Sequence, residues 1–403
     1  MSAALDETKL TEDAFREEAR AWLNDNFPTA LKGRMAEFMM LEGRPPANDD
    51  YEAWRIAMGE KGWGTPTWPA EYGGGGLSRG LTKVLQQEMA EIGAWNPIGG
   101  MGVMMFGPTL LEYGSEEQKQ RHIPSICKGE IRWCQGYSEP GAGSDLAALS
   151  TRCEDKGDHF LVNGQKTWTS GGQFADWCFA LVRTDTRHKH EGISFLLIDM
   201  TSPGVEVRPI QMIMGSSPFC ETFFTDVKVP KENLVGPLNG GWTIGKRLLQ
   251  HERTGISGGG GAAARRGVKQ TLGDIAIEAR GTDASGRLAD SDLRGRIIHY
   301  EMRDRAFKQT AARVMADAKS GGVSTASSIL KNVATKQDQD RSEMLIEIRG
   351  MRGLGWEGEG FTDKELGAVR SWLWGKASTV YGGSQEIQNN VIAKRILGML
   401  DHQ

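Results

Sequence analysis

The stretch Trp133–Gly172 reads WCQGYSEPGAGSDLAALSTRCEDKGDHFLVNGQKTWTSGG. Its first third gathers Ser138, Glu139, Pro140, Gly141, Gly143, Ser144 and Asp145 into a turn too rich in Gly and Pro for a helix or a central strand. Successive N–H groups in such a loop form an anion-binding concavity, and the Ser138 and Ser144 hydroxyls add donors suited to a phosphate or a polar heterocycle. The middle third, His159 to Gly164, alternates apolar and polar residues and ends in Asn163-Gly164, a strong hairpin signal. The returning strand then carries Trp168 and Ser170. A flat indole beside a hydroxyl suits a flat, hydrogen-bonding ring.

Outward from this stretch the chain changes texture twice. Phe15, Ala19, Trp22, Leu23 and Phe27 follow a helical period, with Thr11 in the N-cap position and Pro28 as a stop. Further helical runs cover Tyr51 to Lys61, Leu81 to Glu91 and Ser115 to Lys128. Between them GWGTPTWPAEYGGGGL is punctuation. From about 131 to 240 the runs HFLVNG, WCFALVRT, ISFLLIDM, GVEVRPI and FCETFFTDVKVP predict the short strands of a compact β-domain. VPKENLVGPLNGGW closes it, and helical patterns resume over Trp242 to Lys269, Leu293 to Ala318 and from Ser324 onward. Leu293, Ile297, Tyr300, Phe307 and Val314 share one helical face.

Bulk properties exclude several classes. The 403 residues provide ample core, and with 39% apolar residues no run approaches the length of a membrane span. The formal charge of −4 gives no global field for nucleic acid or an anionic membrane. Five cysteines, odd in number and without C-x-x-C spacing, argue against a disulfide framework or a zinc site, so no metal is expected. The polar N-terminus and the C-terminal GMLDHQ carry no targeting signal, and a cytoplasmic protein is the expectation.

The loop and strand of the opening stretch resemble the flavin-binding signature of the acyl-CoA dehydrogenase family, C-x-x-x-[ST]-E-P-x-[AS]-G-S-D followed by W-x-[TS]. Cys134, Ser138 through Asp145, and Trp168 through Ser170 match it in order. The resemblance extends over nearly the whole chain. It implies an α+β fold with a helical N-terminal domain (1–130), a middle β-barrel (131–240) and a C-terminal four-helix bundle (241–403). It further implies FAD as cofactor, an acyl-CoA substrate oxidised to the trans-2-enoyl-CoA, flavin N5 as hydride acceptor and an electron-transfer flavoprotein as onward acceptor. Cofactor contacts are implied at Gln135, Tyr137, Ser138, Gly143, Ser144, Trp168, Thr169, Ser170, Ser384 and Glu386, and substrate contacts at Ser144, Arg253 and Gly382.

The catalytic base departs from the commoner pattern. Much of the family carries it in a Y-E-G-[TS] element, which here reads Tyr381-Gly382-Gly383-Ser384 and lacks a carboxylate. A smaller branch places a Glu one residue before an Arg on the first helix after the barrel, and this chain has His251-Glu252-Arg253 there. The resemblance thus assigns the α-proton to Glu252 and leaves the Gly382 N–H to hold the thioester oxygen. The glycines that follow, Gly255 and Gly258 to Gly261, fit either a widened acyl cavity or a tightly packed helix. Two segments that cap a neighbour's FAD in homotetrameric members are also altered. R-x-x-F-G becomes Arg280-Gly281-Thr282-Asp283-Ala284, and Q-x-x-G-G becomes Glu347-Ile348-Arg349-Gly350-Met351. A carboxylate facing a pyrophosphate is repelled, so the reading favours an α2β2 tetramer with an unlike chain, beside a homo-oligomer with altered contacts. An oxidase, a desulfinase or a non-catalytic subunit on the same scaffold stand as alternatives.

Overall fold

The computed structural model describes residues 2–39, 44–255, 270–319 and 325–400, with residues 2–10, 252–255 and 318–319 described in backbone only. It divides into two compact units, Met1–Gln211 with Ser217–Gly258, and Met212–Ser216 with Gly259–Gln403.

The first unit opens with helices α1 (Ser2–Asn26), α2 (Met35–Phe38), α3 (Asp49–Glu60), α4 (Arg79–Ile92), α5 (Gly107–Tyr113) and α6 (Glu116–Cys127). The expected Thr11 cap is overturned: α1 already runs through Thr11, so that position is helix interior. Helix α1 stops before Pro28, whose ring cannot continue it. The predicted stripe is real, with Ala19 and Leu23 fully buried beside Trp54, Trp63 and Trp95. Glu88 of α4 is buried beneath Arg16 and Arg20 of α1, at 2.5 and 2.8 Å, so the helix pair is closed by charge as well as by apolar contact. Ser115 begins α6 as a full capping box with Gln118.

Eight strands follow: β1 (Trp133–Gly136), β2 (Arg152–Asp155), β3 (His159–Ser170), β4 (Trp177–Arg183), β5 (Ile193–Asp199), β6 (Val205–Ile210), β7 (Phe219–Pro230) and β8 (Leu234–Val235). They form one sheet in the order β6-β7-β3-β2-β4-β5-β8, with β1 also paired to β4. Cys134, Cys153, Val162, Cys178, Leu196 and Phe224, from six strands, meet in one buried cluster, so the sheet is rolled into a barrel-like form.

The hairpin expected at Asn163-Gly164 does not exist. Strand β3 runs unbroken through both residues and pairs with β7 on either side of a bulge. Asn163 exchanges hydrogen bonds with Asp226, which takes the left-handed φ of 50°. A Cβ on Gly164 would lie 2.7 Å from Thr151 Cα, so close approach of β2, not a turn, requires the glycine.

Helix α7 (Gly241–Gly255) packs back on this unit: Ile244 and Leu248 share a core with Phe106 and Leu110, Trp133 of β1 and Phe179 and Phe195 of β4 and β5. The second unit holds α8 (Leu272–Arg280), α9 (Ser291–Lys319), α10 (Leu330–Arg349), α11 (Asp363–Gly375) and α12 (Gln385–Val391). Leu293, Ile297 and Tyr300 of the predicted face are buried, whereas Phe307 and Val314 are only half-buried. Among the described residues no helix is long and apolar enough to cross a membrane.

Candidate active site

The Gly/Pro loop is held to the sheet by a buried polar knot. Its turn is closed by reciprocal bonds between Glu139 and Ala142, at 2.9 and 3.0 Å, and Thr167 N donates to Ser138 O at 2.8 Å. The Glu139 carboxylate accepts from Lys166 Nζ (2.7 Å), Ser150 N (2.7 Å), Ser150 Oγ (2.8 Å) and Thr151 N (2.9 Å). Lys166 is 0% exposed and also donates to Tyr137 O. Burial works to raise the Glu139 carboxyl, but the Lys166 charge and the converging donors outweigh it and push it down to about 2. For Lys166 burial dominates and draws its ammonium below the usual lysine range. Above this knot Gly141, Gly143 and Ser144 are exposed, and a Cβ on either glycine would meet nothing within 4 Å. The loop therefore presents open backbone on a rigid base.

Trp168 is the other distinctive element. It sits at a register shift between β3 and β7 with φ +62°, a strained value for a bulky residue, and 52% of it is exposed. Its ring meets Phe219 edge-on at 5.9 Å. Strain and exposure of a large indole both become explicable if a flat ring covers it, so these residues fit a flavin. Half-buried Ser138 and Ser170 belong to the same stretch. Two other implied contacts are narrowed. Thr169 is buried, its hydroxyl donating to Cys220 O and paired with Thr222, and the Tyr137 ring packs edge-on against Phe179 and Phe195. Thr169 is left with its backbone groups to offer a ligand. Gln135 is half-buried on β1, opposite Phe179 of β4.

Position 252 lies on α7 in the register of Ile244 and Leu248, at i+8 and i+4, but the Glu252 and Arg253 side chains lie outside the described residues. So does the glycine run from residue 256 to 262. On the neighbouring stripe of α7, Arg247 donates twice to Glu112 of α5, both at 2.7 Å, and His251 Nε2 lies 3.3 Å from the same carboxylate. Nothing in the local sequence pairs residues 112 and 247, so this contact was not foreseen.

In the second unit Gly382 and Gly383 take φ of 65° and 90°, values that favour glycine. Lys331 Nζ donates to Gly383 O at 2.7 Å and Gln388 to Gly382 O at 3.2 Å. Ser384 caps α12, and Glu386 is exposed in its first turn, held below the usual carboxylate range by its own backbone N–H and the Ser384 hydroxyl. Glu347 is paired within its own unit. Its carboxylate is gripped by both terminal nitrogens of Arg296, one at 2.8 Å, while Arg280 donates to its backbone oxygen at 2.7 Å. The packing of α9 on α10 brings together residues 51 apart, and the paired carboxylate no longer presents the bare charge on which the repulsion argument rested.

Comparison with known proteins agrees with this geometry. Family models for the N-terminal, middle and C-terminal domains of acyl-CoA dehydrogenases match residues 10–130, 134–227 and 239–397. The chain is 35% identical over 399 residues to the acyl-CoA dehydrogenase IpdE1 of Mycolicibacterium smegmatis, covering 96% of this chain and 97% of that protein. Among solved structures it resembles the Tcur3481-Tcur3483 steroid ACAD, with TM-score 0.75, 30% identity and 97% and 98% of the two chains covered. It also resembles the ChsE4-ChsE5 complex from Mycobacterium tuberculosis, with TM-score 0.72, 28% identity and the same coverage. A chain matched from end to end by the three domain models, with a strained, half-exposed indole beside an open glycine loop, belongs to the FAD-binding acyl-CoA dehydrogenase family.

Proposed function

We propose that this enzyme removes the α-proton and β-hydride of an acyl-CoA thioester to give the trans-2-enoyl-CoA, with Glu252 as the base. The observation that carries the assignment is positional. Residue 252 continues the buried register of Ile244 and Leu248 on the first helix after the sheet, whereas Tyr381 to Ser384 hold no carboxylate. Bound FAD supplies the hydride acceptor. The chain's own part is to bind and orient. Trp168 covers the flavin ring, Ser138 and Ser170 hydrogen-bond its edge, and Gly143 with Ser144 lies toward its pyrophosphate or the substrate. The resemblance assigns the thioester end to Arg253 and, as a separate contribution, to the Gly382 N–H. Gln135, Ser384 and Glu386 complete the cofactor contacts, and the domains divide near residues 130 and 240.

The assembly we propose is an α2β2 tetramer with an unlike dehydrogenase-family chain, located in the cytoplasm, passing electrons to an electron-transfer flavoprotein. Its support is the likeness to two solved complexes of paired chains. The likeness to a steroid dehydrogenase also favours a bulky acyl group. The test is a screen of acyl-CoAs, from short chains to steroid thioesters, against the purified assembly with a dye acceptor. The expected product is lighter than its substrate by two hydrogens. Oxygen-dependent peroxide formation, or a colourless complex, would overturn the reading.

A further inference from the structure

We infer that Glu112 is a positioning residue that fixes the rotation of the last turns of α7 and thereby the placement of Glu252. The inference rests on Glu252 being the base. Three observations on α5 and α7 lead to it. Glu112 lies in the last turn of α5, where the helix dipole disfavours a carboxylate. Its charge is therefore poorly placed for α5 itself and is compensated from outside, by the paired Arg247 hydrogen bonds that hold its carboxyl below the usual range. Second, Arg247 holds this carboxylate through two hydrogen bonds and further donates to Gln250 Oε1 at 3.0 Å, while the His251 ring one turn on stands 3.3 Å from it. Third, His251 directly precedes Glu252, and one residue is about 100° around a helix. The paired Arg247 hydrogen bonds to Glu112, which set the rotation of this turn, therefore set where position 252 faces.

The apolar contacts of α7 do not secure the same degree of freedom. Ile244 and Leu248 anchor its middle, but the described core contacts of the helix end at Leu249. A rotation or fraying of the final turn would cost little apolar burial while carrying residue 252 off its register. The Arg247–Glu112 clasp lies where that motion would begin. A half-exposed ion pair contributes little to overall stability. Its consequence is thus expected in the geometry of proton removal, where displacement of a group by about 1 Å costs as much as a hundredfold in rate.

The experiment uses the FAD-loaded assembly. Glu112→Gln is expected to slow anaerobic flavin reduction about tenfold to a hundredfold, with KM, flavin content and melting temperature near wild type. Amide hydrogen exchange in the final turns of α7 should rise. The charge-swapped pair Glu112→Arg with Arg247→Glu should be faster than Glu112→Arg alone, because it restores the contact between the two helices, which a loss of unrelated packing would not allow. In a Glu252→Gln background Glu112→Gln should add nothing, since the base it positions is gone. Wild-type reduction in Glu112→Gln, or a full additional loss in the Glu252→Gln background, would overturn the inference. Near-normal reduction in Glu252→Gln alone would instead overturn the base assignment, so the two failures are distinct.

Discussion

Replacing Glu139 by Gln would strip the one full negative charge from a buried knot and leave the Lys166 ammonium without its counter-ion. The depression of the Glu139 carboxyl from 4.5 to about 2 corresponds to about 3 kcal/mol favouring the ionised form in the fold. Because this pKa lies below its unfolded value, the stabilisation is fully present above about pH 4.5 and is lost as pH falls toward about 2. Lys166 is shifted unfavourably by its burial, so the pair's net worth is smaller than the carboxylate's share. Breaking the pair from one side is another matter. An uncompensated buried charge costs about 3–5 kcal/mol, which at about 2–4 °C per kcal/mol lowers the melting temperature by roughly 10 °C. The same variant should lose flavin, since Ser150, Thr151 and the turn at 139–142 are tied to that carboxylate. Adding Lys166→Met removes the stranded charge, and the double variant should melt above Glu139→Gln alone. The assay is thermal unfolding of the single and double variants at neutral pH and in steps down to about pH 3, where the gap to wild type should narrow. A double variant whose loss equals the sum of the two singles, or a gap independent of pH, would refute the reasoning.

Trp168→Ala should weaken FAD binding by about 1.5–3 kcal/mol, roughly tenfold or more in Kd by flavin fluorescence. Trp168→Gly should lose the same affinity yet melt higher than the alanine variant, because glycine relieves the strain at φ +62°; equal melting would argue against strain there. Glu252→Gln should cut turnover by about a hundredfold or more while flavin content holds, as measured by absorbance and product formation.

The fold was legible wherever a local period coincides with burial. Ala19 and Leu23 of α1, the five predicted runs that became β3 to β7, and Leu293 to Tyr300 of α9 declared themselves, because one face of each element decides its composition. Contacts made across the chain did not. Asn163-Gly164 suits a tight turn locally, yet the 12-residue β7 lies alongside both halves of β3 and keeps the strand extended. Thr11 looked like a cap because the acidic stretch before it lacks an apolar stripe, while the helix extends through it to Ser2. Glu347 read as a bare charge because Arg296 stands 51 residues away. Within the site, the open glycine loop and the indole were marked by composition. The carboxylate and ammonium beneath them were not, since a Glu and a Lys 27 residues apart give no sign in sequence that both will be buried.

The central claim, that this chain oxidises an acyl-CoA with Glu252 taking the α-proton, is tested most directly by anaerobic mixing of the FAD-loaded assembly with its preferred acyl-CoA. Wild type should bleach in a single turnover and release the trans-2-enoyl-CoA, whereas Glu252→Gln should bind the same thioester and stay yellow. Bleaching of the variant at the wild-type rate would contradict the account.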